Sequence, residues 1–229
     1  MNETTISCIG NAYKQPLADL IVNVHLRQPS WTYVEKDYAI PLILLSVAMF
    51  ESYMARAAYL ALPDDQKSHI PATLEKQAAS GKIETGITIF RRLYPDYPLS
   101  VEIDEVYVLR DALTHNHLWE FERTDGAALR RILGGNSSFR NNVDFETLKT
   151  KTLGLPIVPG HQDWATSSTC FKVLWDAWGY IEAREPRHVV SRKGEFYVRI
   201  KPNYFPQFEG KLSVCLADLF AMPLATQSA

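Results

Sequence analysis

The stretch "YAIPLILLSVAMFESYMARAAYLAL", residues 38–62, carries only two charged side chains, Glu51 and Arg56. A run this apolar predicts a long buried helix, with Pro41 in its first turn, where the missing N–H costs nothing. A membrane span is the rival reading. The uncharged run from Tyr38 to Phe50 is 13 residues long, well short of the roughly 20 that a bilayer requires, so no membrane partner is expected. Residues 39–50 are apolar on every side of the helix. Such a helix either lies at the centre of a bundle or shares one face with a second copy of the chain.

Working outward, 229 residues with 46% hydrophobic content suffice for a sizeable core, and one domain spanning 1–229 is expected. The start, "MNETTISCIGNAYKQPL", lacks a basic segment followed by an apolar one, so no secretory signal is expected. Cys8, Cys170 and Cys215 are odd in number and unpaired in spacing, which speaks against a disulfide framework or a cysteine zinc site. These features point to a cytoplasmic protein. A net charge of -2 supplies no global positive field for a polyanion, so contact with nucleic acid has to be local.

Downstream, "PATLEKQAAS" reads as a short helix stopped by Gly81, and "TGITIFRRLYP" is either helical or extended. The segment "LSVEIDEVYVLRDALTHNH" has Ser100 as an N-cap, acidic residues in its first turns, and Ile103, Val106, Leu109 and Leu113 at helical spacing. It is the second long helix. Between about 118 and 160 the period changes to alternation around Asp125-Gly126, followed by the extended "KTLGLPIVPG", which predicts an inserted β-hairpin and loop. Residues 163–185 return to helical spacing through Phe171, Leu174, Trp175, Trp178 and Ile181. A second hairpin is expected over about 187–205, then a final strand or short helix in "LSVCLADLFAM". The expected fold is a mainly α, up-and-down helical bundle with inserted β-hairpins.

Chemistry concentrates at the end of the second long helix. On an ideal helix Arg110 shares a stripe with Ile103, Val106, Thr114 and His117, while Asp111 lies one turn before His115. Asp111 is therefore placed to accept a hydrogen bond from one imidazole nitrogen of His115, leaving the other to act as a base. Arg110 offers a planar, permanently charged fork suited to phosphate oxygens. A histidine and an arginine suffice, without metal or cofactor, for phosphodiester cleavage by a ribose 2′-hydroxyl. The base takes the hydroxyl proton and the arginine stabilises charge on the phosphorane.

The string "LRDALTH", an R-x4-H pattern with a polar residue after the arginine, resembles the R-x4-6-H signature of HEPN (higher eukaryotes and prokaryotes nucleotide-binding) domains. The upstream "MFESYMARAAYL", with Glu51 in its middle, is similar to their acid-bearing first core helix. The resemblance covers about residues 38–118 and 163–185. It implies a dimerising helical bundle that pairs two Arg/His helices into one cleft. Many such domains are metal-independent endoribonucleases of toxin, antiviral-defence or RNA-processing systems, while others only bind RNA or nucleotides. It gives Arg110, Asp111 and His115 the motif positions, with His117 a candidate x6 partner; helix geometry adds a secondary phosphate-contacting role for His117, and Glu51 and Thr114 are read as supporting residues. An RNA substrate, a second copy of the chain and an antitoxin or other partner protein are the expected partners. His117 stands where some toxin members carry a modifiable tyrosine, which speaks against control by a nucleotidyltransferase antitoxin.

Metal is not expected, since alternate residues on a helix face apart and no His/Cys cluster stands near His115 and His117. A separate basic segment, "RHVVSRKGEFYVRIK", carries Arg187, Arg192, Lys193, Arg199 and Lys201 with Phe196 and Tyr197 interleaved. That pattern can follow a phosphate backbone and stack bases. More often such a charged edge strand merely deters sheet-to-sheet aggregation.

Overall fold

The apolar stretch lies inside a longer helix, α2 (Thr32–Leu60), in a computed structural model that describes residues 10–26, 32–67, 84–114, 118–122, 128–133 and 141–187. The helix starts ahead of the expected boundary, so Pro41 sits in its interior and not in its first turn. There it deprives the Asp37 carbonyl of its usual N–H partner. The polar run "EKD" at 35–37 conceals this first part of the helix from a reading of apolar content.

Five further described helices accompany it: α1 (Gly10–Leu26), α3 (Asp64–Lys67), α4 (Gly86–Leu93), α5 (Ser100–Thr114) and α6 (Trp164–Arg184). The fold is mainly α. Helix α2 packs against α1, α4, α5 and α6, with Leu42, Ile43, Val47, Phe50, Met54 and Ala57 almost fully buried. Among the described residues it supplies the one segment, Tyr38–Leu60, long and apolar enough to cross a membrane. Neighbours within the chain bury 56% of its most apolar window, so the helix lies within the bundle, while Ile40, Leu44 and Leu45 keep partial exposure.

Helix α1 is an element the sequence reading leaves unassigned, for Gly10 and Pro16 interrupt it. Its Leu17, Ile21 and Val22 face the core, and the Gly10 amide donates to Ser52 Oγ of α2 at 2.8 Å. Helix α6 matches its expected span, and Phe171, Leu174, Trp175, Trp178 and Ile181 are all buried. Asp163 caps its start, accepting from the Thr166 amide at 2.7 Å. Aromatic rings knit the helices together: Tyr53 meets Trp178 at 4.8 Å and Phe50 meets Phe90 at 5.6 Å between centroids.

The region 118–160 holds two small antiparallel hairpins. Strands β1 (Leu118–Glu122) and β2 (Ala128–Leu133) pair with a register irregularity between Glu120 and Phe121; Asp125-Gly126, where a turn is expected, lies outside the described residues. Strands β3 (Val143–Asp144) and β4 (Lys149–Thr150) form the second. "KTLGLPIVPG" follows as a docked coil, in which Leu153, Leu155 and Ile157 are buried. Val143 and Ile157 form a small core with Val108 and Ala112 of α5. The buried Glu105 carboxylate accepts the amides of Thr152 and Leu153, both at 2.7 Å. Helix α5 is thus covered by the bundle on one face and by this coil on another. The expected helix near 72–80, the hairpin over 187–205 and the final element lie outside the described residues, apart from Arg187.

Candidate functional site

Arg110 occupies the last turns of α5 and reaches across to α2, where Nη2 donates to Glu51 Oε1 at 3.2 Å. The pair is partly exposed, with 23% of the Arg110 and 35% of the Glu51 side chain accessible. Arg110 Nε lies 3.2 Å from Asp111 Oδ1, close enough for charge attraction, yet it forms no aligned hydrogen bond. One turn earlier, the Tyr107 ring lies beneath the guanidinium at 5.3 Å to its centroid. The cation is therefore held in place from three sides.

A third helix closes the cluster. Gly86 opens α4 against both partners: a Cβ there would stand 2.7 Å from the Tyr107 hydroxyl, 2.8 Å from Glu51 Cγ and 2.9 Å from Glu51 Cα. No side chain fits without moving α4 away from α2. The Tyr107 hydroxyl is buried without a hydrogen-bond partner. Burial, reinforced by the nearby Glu51 carboxylate, pushes its pKa well above the ordinary phenol value. It stays protonated.

Burial likewise raises the Glu51 carboxyl above its usual range, against the opposing pull of Arg110 and with a smaller push from Asp111. With both carboxylates ionised, two negative charges surround one positive charge. A phosphate arriving at Arg110 competes with Glu51 for the guanidinium, and that competition eases when Glu51 takes up a proton.

Of the expected site residues, Arg110, Asp111 and Glu51 are brought together. The Thr114 hydroxyl is spent on the Arg110 carbonyl at 2.9 Å, a backbone contact that leaves the guanidinium untouched. Arg187 is exposed, far from α5 in sequence, and its carbonyl accepts from Arg56 Nη1 at 3.0 Å. His115, His117, Arg192, Lys193, Arg199 and Lys201 lie outside the described residues. Tyr107 and Gly86 were not legible as site residues. Tyr107 stands one turn before Arg110, a spacing that can flag it, whereas the approach of Gly86 exists only in the folded chain. Among the described residues no cluster of His, Cys, Asp and Glu could hold a metal ion. The free Cys170 thiol is buried, and burial raises its pKa.

Comparison with family models, with curated proteins and with solved structures finds no match to this chain.

Proposed function

We propose that this chain is a HEPN-like, metal-independent endoribonuclease of a toxin, defence or RNA-processing system, acting in the cytoplasm as a homodimer. The observation that carries the reading is Arg110, a cation fixed by Glu51 and Tyr107 at a partly exposed position, five and seven residues before the two histidines in the sequence. In this scheme His115 takes the proton of a ribose 2′-hydroxyl as its oxygen bonds to the adjacent phosphorus. Arg110 stabilises the charge that builds on the phosphoryl oxygens. The bond to the 5′-oxygen breaks, and that oxygen takes up a proton from solvent, leaving a 2′,3′-cyclic phosphate and a 5′-hydroxyl. Glu51 is a positioning residue here.

The ring of carboxylates around Arg110 favours a second reading, in which the module binds RNA or a nucleotide without cutting it, or forms a structural dimer supporting a partner protein. Incubating the purified protein with RNA in EDTA separates the two. Cleavage to cyclic-phosphate ends, abolished in Arg110→Ala and His115→Ala with the fold intact by circular dichroism, supports the enzyme. A requirement for Mg²⁺, or equal cleavage of an all-deoxy strand, overturns the mechanism. His117→Ala should retain part of the activity, and an inactive His117 variant beside an active His115 variant reverses their roles.

A further inference from the structure

The β3–β4 hairpin is built around an unusual turn. Leu148 adopts a left-handed backbone, φ 56°, a conformation that costs a branched, non-glycine residue on the order of 1 kcal/mol or more. The strain persists because the Leu148 side chain packs against the small core of Val108, Ala112, Val143 and Ile157. Asp144 fixes the rest of the turn, accepting from the Glu146 amide at 3.0 Å and from Thr147 Oγ1 at 2.8 Å. These bonds hold its carboxyl below the usual range. While Leu148 turns inward, Phe145 is left 49% exposed, one of the two exposed large hydrophobic residues in the described part of the chain. It borders a shallow cavity of about 450 Å³ that is also lined by Thr147, Lys149, Lys151 and Gly154.

From this we infer that the β3–β4 hairpin is a docking site for single-stranded RNA, with a base stacked on Phe145 and backbone phosphates on Lys149 and Lys151. Stacking on an exposed aromatic beside lysines is how sequence-tolerant single-strand sites are made, because every base has a π-face. Lys149 and Lys151 supply the cations for phosphate, beside the carboxylates of Asp144 and Glu146 on the same hairpin. Lys149 is exposed. One of the three ammonium donors of Lys151 serves the Asn141 carbonyl at 2.7 Å, and the Asp144 carboxylate that Lys151 also faces is already engaged by the turn. The hairpin is bound to the helix that bears Arg110, through the Glu105 bonds and the Val108–Val143 core. Arg110 lies about 200° around that helix from Val108. A strand held at Phe145 therefore has to pass around α5 to reach the guanidinium, so this site binds RNA away from the bond that is cut. The inference rests on the RNA-directed reading above and adds a separate contact to it.

The test is fluorescence anisotropy of a labelled 12-nucleotide oligo(U) with full-length protein. Phe145→Ala and the double variant Lys149→Glu/Lys151→Glu are compared with wild type, each checked by thermal melting, and each is expected to weaken binding at least tenfold. The salt dependence should also flatten: losing two phosphate contacts lowers the slope of log K against log salt by about 1.4. Unchanged binding by both variants overturns the site and leaves the RNA-directed reading standing. Wild type that neither binds nor cleaves RNA overturns both. A shift in oligomeric state on Phe145→Ala, with RNA binding unaltered, overturns the inference and makes the hairpin a contact between copies.

Discussion

Glu51 sits where three helices meet, and its side chain answers to all of them: Arg110 from α5, Gly86 from α4 and its own buried stem in α2. Its folded pKa lies above the unfolded value of 4.5. The folded chain therefore binds more protons than the unfolded chain between 4.5 and that raised value, and stability attributable to Glu51 falls as pH rises through this window. Glu51→Gln cannot titrate, so its melting temperature relative to wild type should climb from pH 4 to pH 7. A difference that is constant, or that declines with pH, contradicts the raised pKa. Gly86→Ala forces a methyl group into α2 backbone and the Tyr107 hydroxyl. Overpacking of this kind should cost about 1–3 kcal/mol, measurable by urea unfolding, and should lower RNA cleavage by disturbing Glu51. A variant as stable and active as wild type would show that α4 can yield at no cost.

At the scale of elements, helix α5 shows what sequence can and cannot reveal. The spacing of Ile103, Val106 and Leu109 marks its bundle face, and all three are buried as that pattern requires. Glu105 reads, with Glu102 and Asp104, as one of the acids in the first turns that suit the helix dipole. In the structure it is 1% exposed and anchors the following coil through two amides. Those partners lie 47 and 48 residues away, and no local pattern announces contacts of that range. Pro41 and Pro16 teach the same lesson in reverse, since each stands inside a helix where local preference places a boundary. Burial in the bundle outweighs the lost hydrogen bond. The Arg110–Asp111 neighbourhood was visible as a motif, whereas its closure by Glu51, Tyr107 and Gly86 depends on packing between helices. Glu105→Ala strands two amides at once and should destabilise the protein by about 3 kcal/mol. Hydrogen exchange should then show the loss concentrated in residues 141–158. Uniform loss of protection would mean that the coil is not a separately anchored unit.

For the whole molecule, the central place of α2 alters the case for a dimer. Its core face is covered by α1, α4, α5 and α6 of the same chain, while Ile40, Leu44 and Leu45 keep partial exposure. The proposed dimer rests on the motif, which offers half of a symmetric cleft. Light scattering at micromolar concentration should give twice the chain mass of 26.0 kDa. A monomer that still cleaves RNA would confine the chemistry to one chain and favour His117 over His115, on the sequence expectation that an ideal helix brings position 117 within about 20° of Arg110 and position 115 to about 140°.

The same central helix sets a problem during synthesis. Leu60 ends α2, and its partner α6 begins only at Trp164, so a ribosome adding about 5–20 residues each second leaves the apolar helix without that cover for roughly 5–20 s. At the start of that interval the nascent chain displays its most membrane-like segment with α1 as the one described helix already made, and α4 and α5 join it before α6. Production of this protein should depend on chaperones that shield nascent apolar helices, and chains cut short before residue 164 should aggregate or associate with membranes.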